Sequence, residues 1–283
     1  MSFLNLIYSP WGTFLLIIFA LIIGSFLNVV IYRLPTMLFA SWREQCQLLL
    51  AEPPEKTTTF NLCWPASHCP KCKNPLKFWQ NIPVFSYLLQ RGKCQFCHQP
   101  ISLRYPAVEL ISAGTAGLLF YLYGWSWPLL FALMLSWGLL VLIFIDIDTQ
   151  LLPDEITLFL LWLGLLVNTQ GMFTDLHSAI YGAVGGYMSL WLIAKSFLLL
   201  TKREGMGHGD FKLLALIGAW AGWQMLLPTL LMASFVGALV GLAMIVAGKL
   251  KREQPIPFGP FLAVAGWICL LWGKPLLNWW QGI

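Results

Sequence analysis

The chain has 283 residues, of which 58% are hydrophobic and only 10% are charged. A soluble domain usually carries about 25% charged residues, so this composition excludes both an ordinary water-soluble globule and a disordered chain. The formal net charge is +5, but the basic residues cluster between apolar stretches. That distribution favours a membrane protein with several spans and argues against nucleic-acid binding.

Continuous apolar stretches of about 17–25 residues are long enough to cross a bilayer as helices. The predicted spans are 11–32, 107–124, 127–146, 156–170, 178–200, 211–225, 227–247 and 259–279. Because these stretches do not alternate between polar and apolar residues, we expect helices and not a barrel. The predicted fold class is an all-α polytopic membrane protein of about eight transmembrane helices, with a zinc-ribbon-like insert between the first and second.

The basic residues indicate the orientation of the spans. Nine of the 17 Lys and Arg residues lie between Arg33 and Arg104, and smaller groups lie around Lys202 and Lys251. If the spans alternate, all three groups lie on one side of the membrane. The positive-inside rule predicts that this side is the cytoplasm.

Six of the seven cysteines lie in the polar insert, residues 35–105. Cys69 and Cys72 form one Cys-x-x-Cys pair, and Cys94 and Cys97 form another after a spacer of 21 residues. Two such pairs can place four thiolates around one Zn²⁺, and four protein ligands leave no open position, so the ion would be structural.

Three other interpretations of the cysteines stay open. Two disulfides could form, although a reducing cytoplasm disfavours them. The four thiols could also be free and inert. His68 and His98 directly flank the two pairs and could substitute as ligands.

Two carboxylates stand at the edges of predicted spans, where acidic residues are functional candidates. Asp146 lies at the end of the third span and Asp210 opens the sixth, 64 positions later. The alternation of spans places both at the cytoplasmic edge. Two close carboxylates share one proton, so one can take a proton from water while the other donates one to a peptide carbonyl. Gly207 and Gly209 would let the main chain before Asp210 approach a substrate strand.

Nearby charged residues have other interpretations. Asp148 would point away from Asp146 on a helix and is a second choice for catalysis. Asp154 precedes an apolar run and is predicted to cap a helix. Glu109 is expected to complement a helix dipole, and Lys212 to extend toward the membrane surface.

Taken in order, these motifs resemble those of the bacterial type IV prepilin peptidases, membrane aspartic proteases with a Gly-x-Gly-Asp motif. The resemblance covers about residues 20–225 of the chain. The matching segments are Gly24-Ser25-Phe26-Leu27-Asn28, Tyr32-Arg33-Leu34-Pro35, the paired cysteines, Ser102-Leu103-Arg104-Tyr105-Pro106-Ala107-Val108-Glu109, Asp146 with Leu152-Pro153-Asp154, and Gly207-His208-Gly209-Asp210-Phe211-Lys212-Leu213-Leu214-Ala215.

The resemblance implies that Asp146 and Asp210 are the catalytic pair of an inner-membrane enzyme. It implies cleavage of the basic leader of type IV prepilins or type II secretion pseudopilins at the cytoplasmic face. It also implies N-methylation of the new N-terminal residue, usually Phe, with S-adenosylmethionine as donor, although no residue is assigned to the donor. Acidic residues such as Glu204, Asp148 and Asp154 are expected to help bind the basic leader.

We expect four regions. They are the first transmembrane helix, 1–34; a cysteine-rich zinc-binding insert, 35–105; a peptidase transmembrane core, 106–225; and C-terminal transmembrane helices, 226–283. Membrane lipid and the prepilin are the expected partners, and nucleic acid is not. The main alternative function is a proton-coupled membrane carrier, because carriers also place carboxylates inside a helical bundle. A zinc-bearing membrane scaffold without catalysis is a further alternative.

Overall fold

A computed structural model describes residues 10–50, 60–203, 205–248 and 256–281. These residues form long helices and no strand, with two isolated β-bridges as the only extended pairing among them. The predicted all-α class is therefore confirmed. Glu204 and the basic group around Lys251 lie outside the described residues.

Each predicted span overlaps one long helix. The helices are α1 (Pro10–Leu49), the short α2 (Phe85–Leu89), α3 (Arg104–Tyr123), α4 (Trp127–Thr149), α5 (Asp154–Asn168), α6 (Leu176–Thr201), α7 (His208–Ala221), α8 (Leu226–Val246) and α9 (Gly259–Gln281). Among the described residues, α1, α3, α4, α6 and α8 are long and apolar enough to cross a membrane. Helices α5 and α7 are shorter, with 15 and 14 residues.

Helix α1 continues well beyond its predicted apolar span and into the start of the polar insert. It passes through Pro35 and ends at Leu49. Proline cannot donate a main-chain hydrogen bond inside a helix, but the next residue, Thr36, donates its hydroxyl to the carbonyl of Tyr32 at 3.0 Å. A proline inside an apolar pattern is therefore not a helix end here.

The chain divides into two compact units, Met1–Val141 and Leu142–Ile283, with the boundary inside α4. In the first unit α1 packs on α3. A Cβ atom on Gly24 would lie 2.7 Å from the Cα atom of Glu109, so glycine permits this close approach. The Ser112 hydroxyl donates to the carbonyl of Ala20 at 2.7 Å. These contacts join the two helices between which the insert is placed.

In the second unit α7 is the central helix, and it packs against α5, α6 and α9. Its contact with α6 is backbone to backbone. Gly182 of α6 faces Gly218 of α7, and a Cβ on Gly186 would lie 2.7 Å from the carbonyl oxygen of Leu214. Small residues four positions apart allow such close packing of helices in membranes.

Two buried polar side chains fix α7 against α5. The Trp220 indole N–H donates to the carbonyl of Leu160 at 2.8 Å. The Asn168 amide donates to the carbonyl of Ala219 at 2.8 Å, near the C-terminal end of α7 where main-chain carbonyls lack helical partners. Helix α7 is therefore attached to α5 near its C-terminal end.

Candidate active site and metal centre

Asp146 lies in the last turn of α4 and is buried, with 5% of its surface exposed. Its Oδ2 atom has no hydrogen-bond partner among the described residues. Asp148, two residues later, is exposed. The difference follows from the helical repeat, since residues two apart point to different sides of a helix. The preference for Asp146 over Asp148 thus agrees with the observed burial.

Asp210 is the third residue of α7 and is also buried, with 9% exposure. The helix begins after Gly207, and the free main-chain N–H groups of a first turn favour a carboxylate. The negative charge of Asp146 acts on the Asp210 carboxyl, so the two groups lie within electrostatic range of each other. The structure therefore brings together the two aspartates that the sequence singled out.

The two glycines before Asp210 have different surroundings. A Cβ atom on Gly209 would lie 2.9 Å from the Cβ of Leu152, so glycine lets the loop after α4 pack against the start of α7. Among the described residues, a Cβ on Gly207 would meet only the Asp210 Oδ2 atom, at 3.9 Å. Close packing within the protein therefore requires glycine at 209 and leaves space at 207.

Gly259, the first residue of α9, also lies at this site, although no sequence motif indicated it. A Cβ atom there would lie 2.6 Å from Oδ2 of Asp146 and 3.3 Å from Cδ1 of Leu152. The available signal was the Gly-Pro pair at the start of the last predicted span, which is typical of a helix start. That signal marks the helix but does not indicate its neighbour.

Asp154 and Lys212 form an ion pair. The Lys212 Nζ atom lies 2.7 Å from each carboxylate oxygen of Asp154. Asp154 is the first helical residue of α5, and Pro153 occupies the cap position without a side-chain hydrogen bond. The interpretation of Asp154 as a helix cap was therefore wrong, and its carboxylate instead connects the starts of α5 and α7.

In the first unit the four cysteines of the two pairs come together. Their sulfur atoms all lie within 4.8 Å of one another, and the Sγ atoms of Cys69 and Cys97 are 3.8 Å apart. A tetrahedral zinc site with Zn–S bonds of about 2.3 Å requires sulfur separations of about 3.8 Å. All four thiols are free, so the disulfide alternative does not hold. The residues fit a single metal ion.

The two cysteine pairs have the same local structure. The N–H of Lys73 donates to the carbonyl of Cys69 at 3.0 Å, and the N–H of His98 donates to that of Cys94 at 3.0 Å. Lys73 and His98 both have positive φ, 59° and 55°. The sequence carries the signal for this repeat, since each pair is followed after two residues by proline. His98 therefore has a main-chain role in the turn.

Main-chain N–H groups stabilise the thiolate in the second pair. The N–H groups of Cys97 and Phe96 lower the pKa of the Cys94 thiol to about 7. A thiolate is the form of cysteine that binds metal. Burial and the neighbouring cysteine sulfurs raise the pKa of the Cys97 thiol to about 11, so the loop by itself stabilises one of its two thiolates.

Glu109 attaches the insert to α3. Its Oε2 atom accepts a hydrogen bond of 2.7 Å from the main-chain N–H of Val84. Val84 has a φ of 57°, which is rare for a β-branched residue and costs free energy. Because Glu109 is buried in the second turn of α3, the helix-dipole interpretation was wrong. Its carboxylate holds a strained turn of the insert.

Further contacts continue this attachment. The Gln80 amide donates to the side-chain oxygen of Gln95 at 3.1 Å, which reaches the second cysteine pair. At the start of the insert the buried Arg33 donates to the carbonyls of Asn61 and Pro65, at 2.9 Å and 2.7 Å. The insert that carries the four cysteines is thus joined to α1 and α3 by hydrogen bonds to side chains of both helices.

Comparison with known proteins agrees with the motifs. Residues 18–123 match the family model described as the bacterial peptidase A24 N-terminal domain, and residues 133–242 match that of the type IV leader peptidase family. No solved structure matches the chain significantly.

Curated relatives match over nearly the whole chain. A prepilin leader peptidase/N-methyltransferase of Stutzerimonas stutzeri is 49% identical over 92% of this chain and 90% of its own length. Proteins of the same name from Legionella pneumophila and Neisseria gonorrhoeae are 45% and 46% identical, over 98% and 97% of this chain and 97% and 96% of their own lengths. At this identity and coverage, the chain belongs to the type IV leader peptidase family.

Proposed function

We propose that this protein is a membrane aspartic endopeptidase that removes the basic leader of type IV prepilins or type II secretion pseudopilins. We also propose that it N-methylates the new N-terminal residue, usually Phe. The observation that carries the peptidase assignment is the pair of buried aspartates, Asp146 and Asp210, within electrostatic range in one unit. The names of the relatives support both activities, and they favour a peptidase over a proton-coupled carrier.

The two carboxyl groups have separate roles in peptide hydrolysis, one as general base and one as general acid. One carboxylate takes a proton from water as the water oxygen attacks the scissile carbonyl carbon, and the other carboxyl donates its proton to the carbonyl oxygen. The tetrahedral intermediate then breaks its C–N bond as the leaving nitrogen is protonated. Because close carboxyls titrate as a pair, one proton is shared between Asp146 and Asp210 in the reactive state.

The proposed location is the bacterial inner membrane, with the aspartates at its cytoplasmic edge. Exposed Lys202 and Arg203 follow α6 and precede the Asp210 motif, which supports this orientation by the positive-inside rule. The apolar helix of the prepilin would lie beside the spans while its leader stays in the cytoplasm. Of the acidic residues proposed to bind the leader, Asp148 is exposed, whereas the Asp154 carboxylate already pairs with Lys212.

We propose that Cys69, Cys72, Cys94 and Cys97 hold a structural Zn²⁺. The sulfur separations and the free thiols support this assignment. With all four positions filled by protein, the ion would stabilise the insert and take no part in bond breaking. We further propose S-adenosylmethionine as the methyl donor; when bound it supplies an electrophilic methyl group, which only a deprotonated N-terminal amine accepts.

The test is cleavage of a full-length prepilin in membranes, followed by mass spectrometry of the product. Asp146→Asn and Asp210→Asn are expected to abolish cleavage at normal membrane levels of the protein. Glu155→Gln is the control, because it removes an exposed carboxylate in the first turn of α5 to which no role in catalysis or leader binding is assigned. A wild-type product heavier by one methyl group would demonstrate the second activity. Cleavage that persists in either buried-aspartate variant would remove that residue from catalysis.

A further inference from the structure

Helix α9 begins directly against Asp146. The position of a Cβ atom on Gly259 would be 2.6 Å from the Asp146 Oδ2 atom, closer than real Cβ contacts come. Any side chain at 259 would therefore have to displace the carboxyl group or the start of α9.

The surroundings of Oδ2 are unusual for a buried carboxylate. Asp146 is 5% exposed and Oδ2 has no hydrogen bond of normal geometry among the described residues. The main-chain N–H of Gly259 lies near this carboxyl. The first N–H groups of a helix have no helical acceptor and carry partial positive charge. The N-terminal end of α9 thus faces the buried Oδ2 atom of Asp146. This oxygen can accept a further hydrogen bond, for example from the attacking water.

Leu152 connects this helix start to the second aspartate. Its Cδ1 atom would be 3.3 Å from a Cβ on Gly259, and its Cβ atom would be 2.9 Å from a Cβ on Gly209, the residue before Asp210. Leu152 is itself buried. The starts of α7 and α9 therefore both pack on one leucine, and each does so through a glycine.

We propose that Gly259 is a positioning residue for Asp146, and that the start of α9 forms one wall of the peptidase site. This inference rests on the proposed function of Asp146. The proposed wall lies outside residues 133–242, the part of the chain that matches the type IV leader peptidase family model. The inference therefore assigns a role in the peptidase site to a later segment of the chain. Glycine is needed at 259 because the carboxyl group occupies the space of a side chain.

The first experiment measures prepilin cleavage by Gly259→Ala in the full-length protein. The added methyl group should shift the Asp146 carboxyl and lower kcat by about 10²-fold, as small misplacements of reacting groups do, while KM stays unchanged. Gly114→Ala on α3 is the control, since a Cβ there would meet no atom of the described residues within 4 Å. An unchanged kcat for Gly259→Ala would overturn the proposal.

The second experiment does not depend on activity. Gly259→Ala is introduced into the wild type and into an Asp146→Ala background, and the four melting temperatures are compared. Since Asp146→Ala removes the Oδ2 atom and leaves only the looser contact with Leu152, Gly259→Ala should lower the melting temperature by more when Asp146 is present. Contacting residues show this non-additivity, and distant ones do not. An equal loss in both backgrounds, or failure to fold in both, would contradict the proposed contact.

The two experiments separate this inference from the proposed function. If the wild type cleaves no prepilin, the proposed function fails, while the four melting temperatures still test the contact between Gly259 and Asp146. If the wild type cleaves, Asp146→Asn does not, and Gly259→Ala cleaves normally, the function stands and the positioning role is wrong.

Discussion

The cysteine cluster is held by hydrogen bonds within its own two loops, whereas the aspartate pair is held by packing between helices. Each cysteine pair closes its turn through two main-chain bonds, which in the second pair run from His98 to Cys94 and from Cys94 to Gln99. Asp146 and Asp210, by contrast, come from α4 and α7, and the packing of α5, α6 and α9 around α7 sets the place of Asp210. One site is local in the chain and the other is not.

This difference implies that mutations at the two sites have different effects. A change in the cluster should alter metal binding and the order of the insert without disturbing the α7 bundle. A change at the aspartates should stop chemistry while the metal centre stays intact. If prepilin methylation needs the insert and cleavage does not, the two proposed activities can be separated by mutation.

The largest expected effect is from Asp210→Asn. Loss of an acid–base group typically lowers a rate by about 10²–10⁴-fold, so cleavage should fall by that factor. The amide has nearly the same size as the carboxyl, so the packing of α7 should be kept. Metal content, measured by elemental analysis of the purified protein, should equal that of the wild type. A parallel loss of metal would show that the two sites are not independent.

The next effect is from Cys94→Ser. Even a lost outer-shell contact typically weakens metal binding by about 10–100-fold, and the loss of a ligand should weaken it by more. Competition with a chelator would measure this affinity in wild type and variant. If methylation needs the insert and cleavage does not, the variant should lose methylation and keep cleavage. Cys63→Ser is the control, because Cys63 is exposed and outside the cluster. Equal metal loss in both variants would argue against the four-cysteine site.

A smaller effect is expected from Glu109→Leu, which removes the acceptor for the Val84 N–H. A buried donor left without a partner costs about 1–3 kcal/mol. Amide hydrogen exchange in peptides covering residues 78–92 should become faster.

Glu109→Gln keeps an acceptor oxygen and should exchange like the wild type. A combined Glu109→Leu and Val84→Gly variant should recover part of the protection, since glycine adopts positive φ without strain. Fast exchange in Glu109→Gln would indicate a role for the charge.

The smallest effect is expected from Lys212→Met. The pair with Asp154 is partly exposed, and such pairs contribute about 0.2–1 kcal/mol. The melting temperature should fall slightly, and the difference from wild type should shrink at high salt because ions screen exposed charges. A large loss of cleavage with an unchanged melting temperature would instead give Lys212 a part in the reaction.

Much of the protein could be predicted from its sequence because the signals are local. Apolar stretches indicated the positions of the main helices of the described residues, five of which are long and apolar enough to cross a membrane. The spacing of Cys69, Cys72, Cys94 and Cys97 indicated one four-sulfur cluster. Helix periodicity favoured Asp146 over Asp148, because it depends only on neighbours in the chain.

Other features were decided by tertiary structure. Pro35 stays within α1, and Asp154 pairs with Lys212, 58 positions away, instead of capping its own helix. Glu109 supports Val84, and Gly259 lies against Asp146. The three pairings, of Asp154 with Lys212, Glu109 with Val84 and Gly259 with Asp146, each join segments far apart in the chain. The apolar pattern of a membrane helix shows that it is buried in lipid or protein, but it does not specify which neighbour each side chain meets, because lipid and other helices are equally apolar.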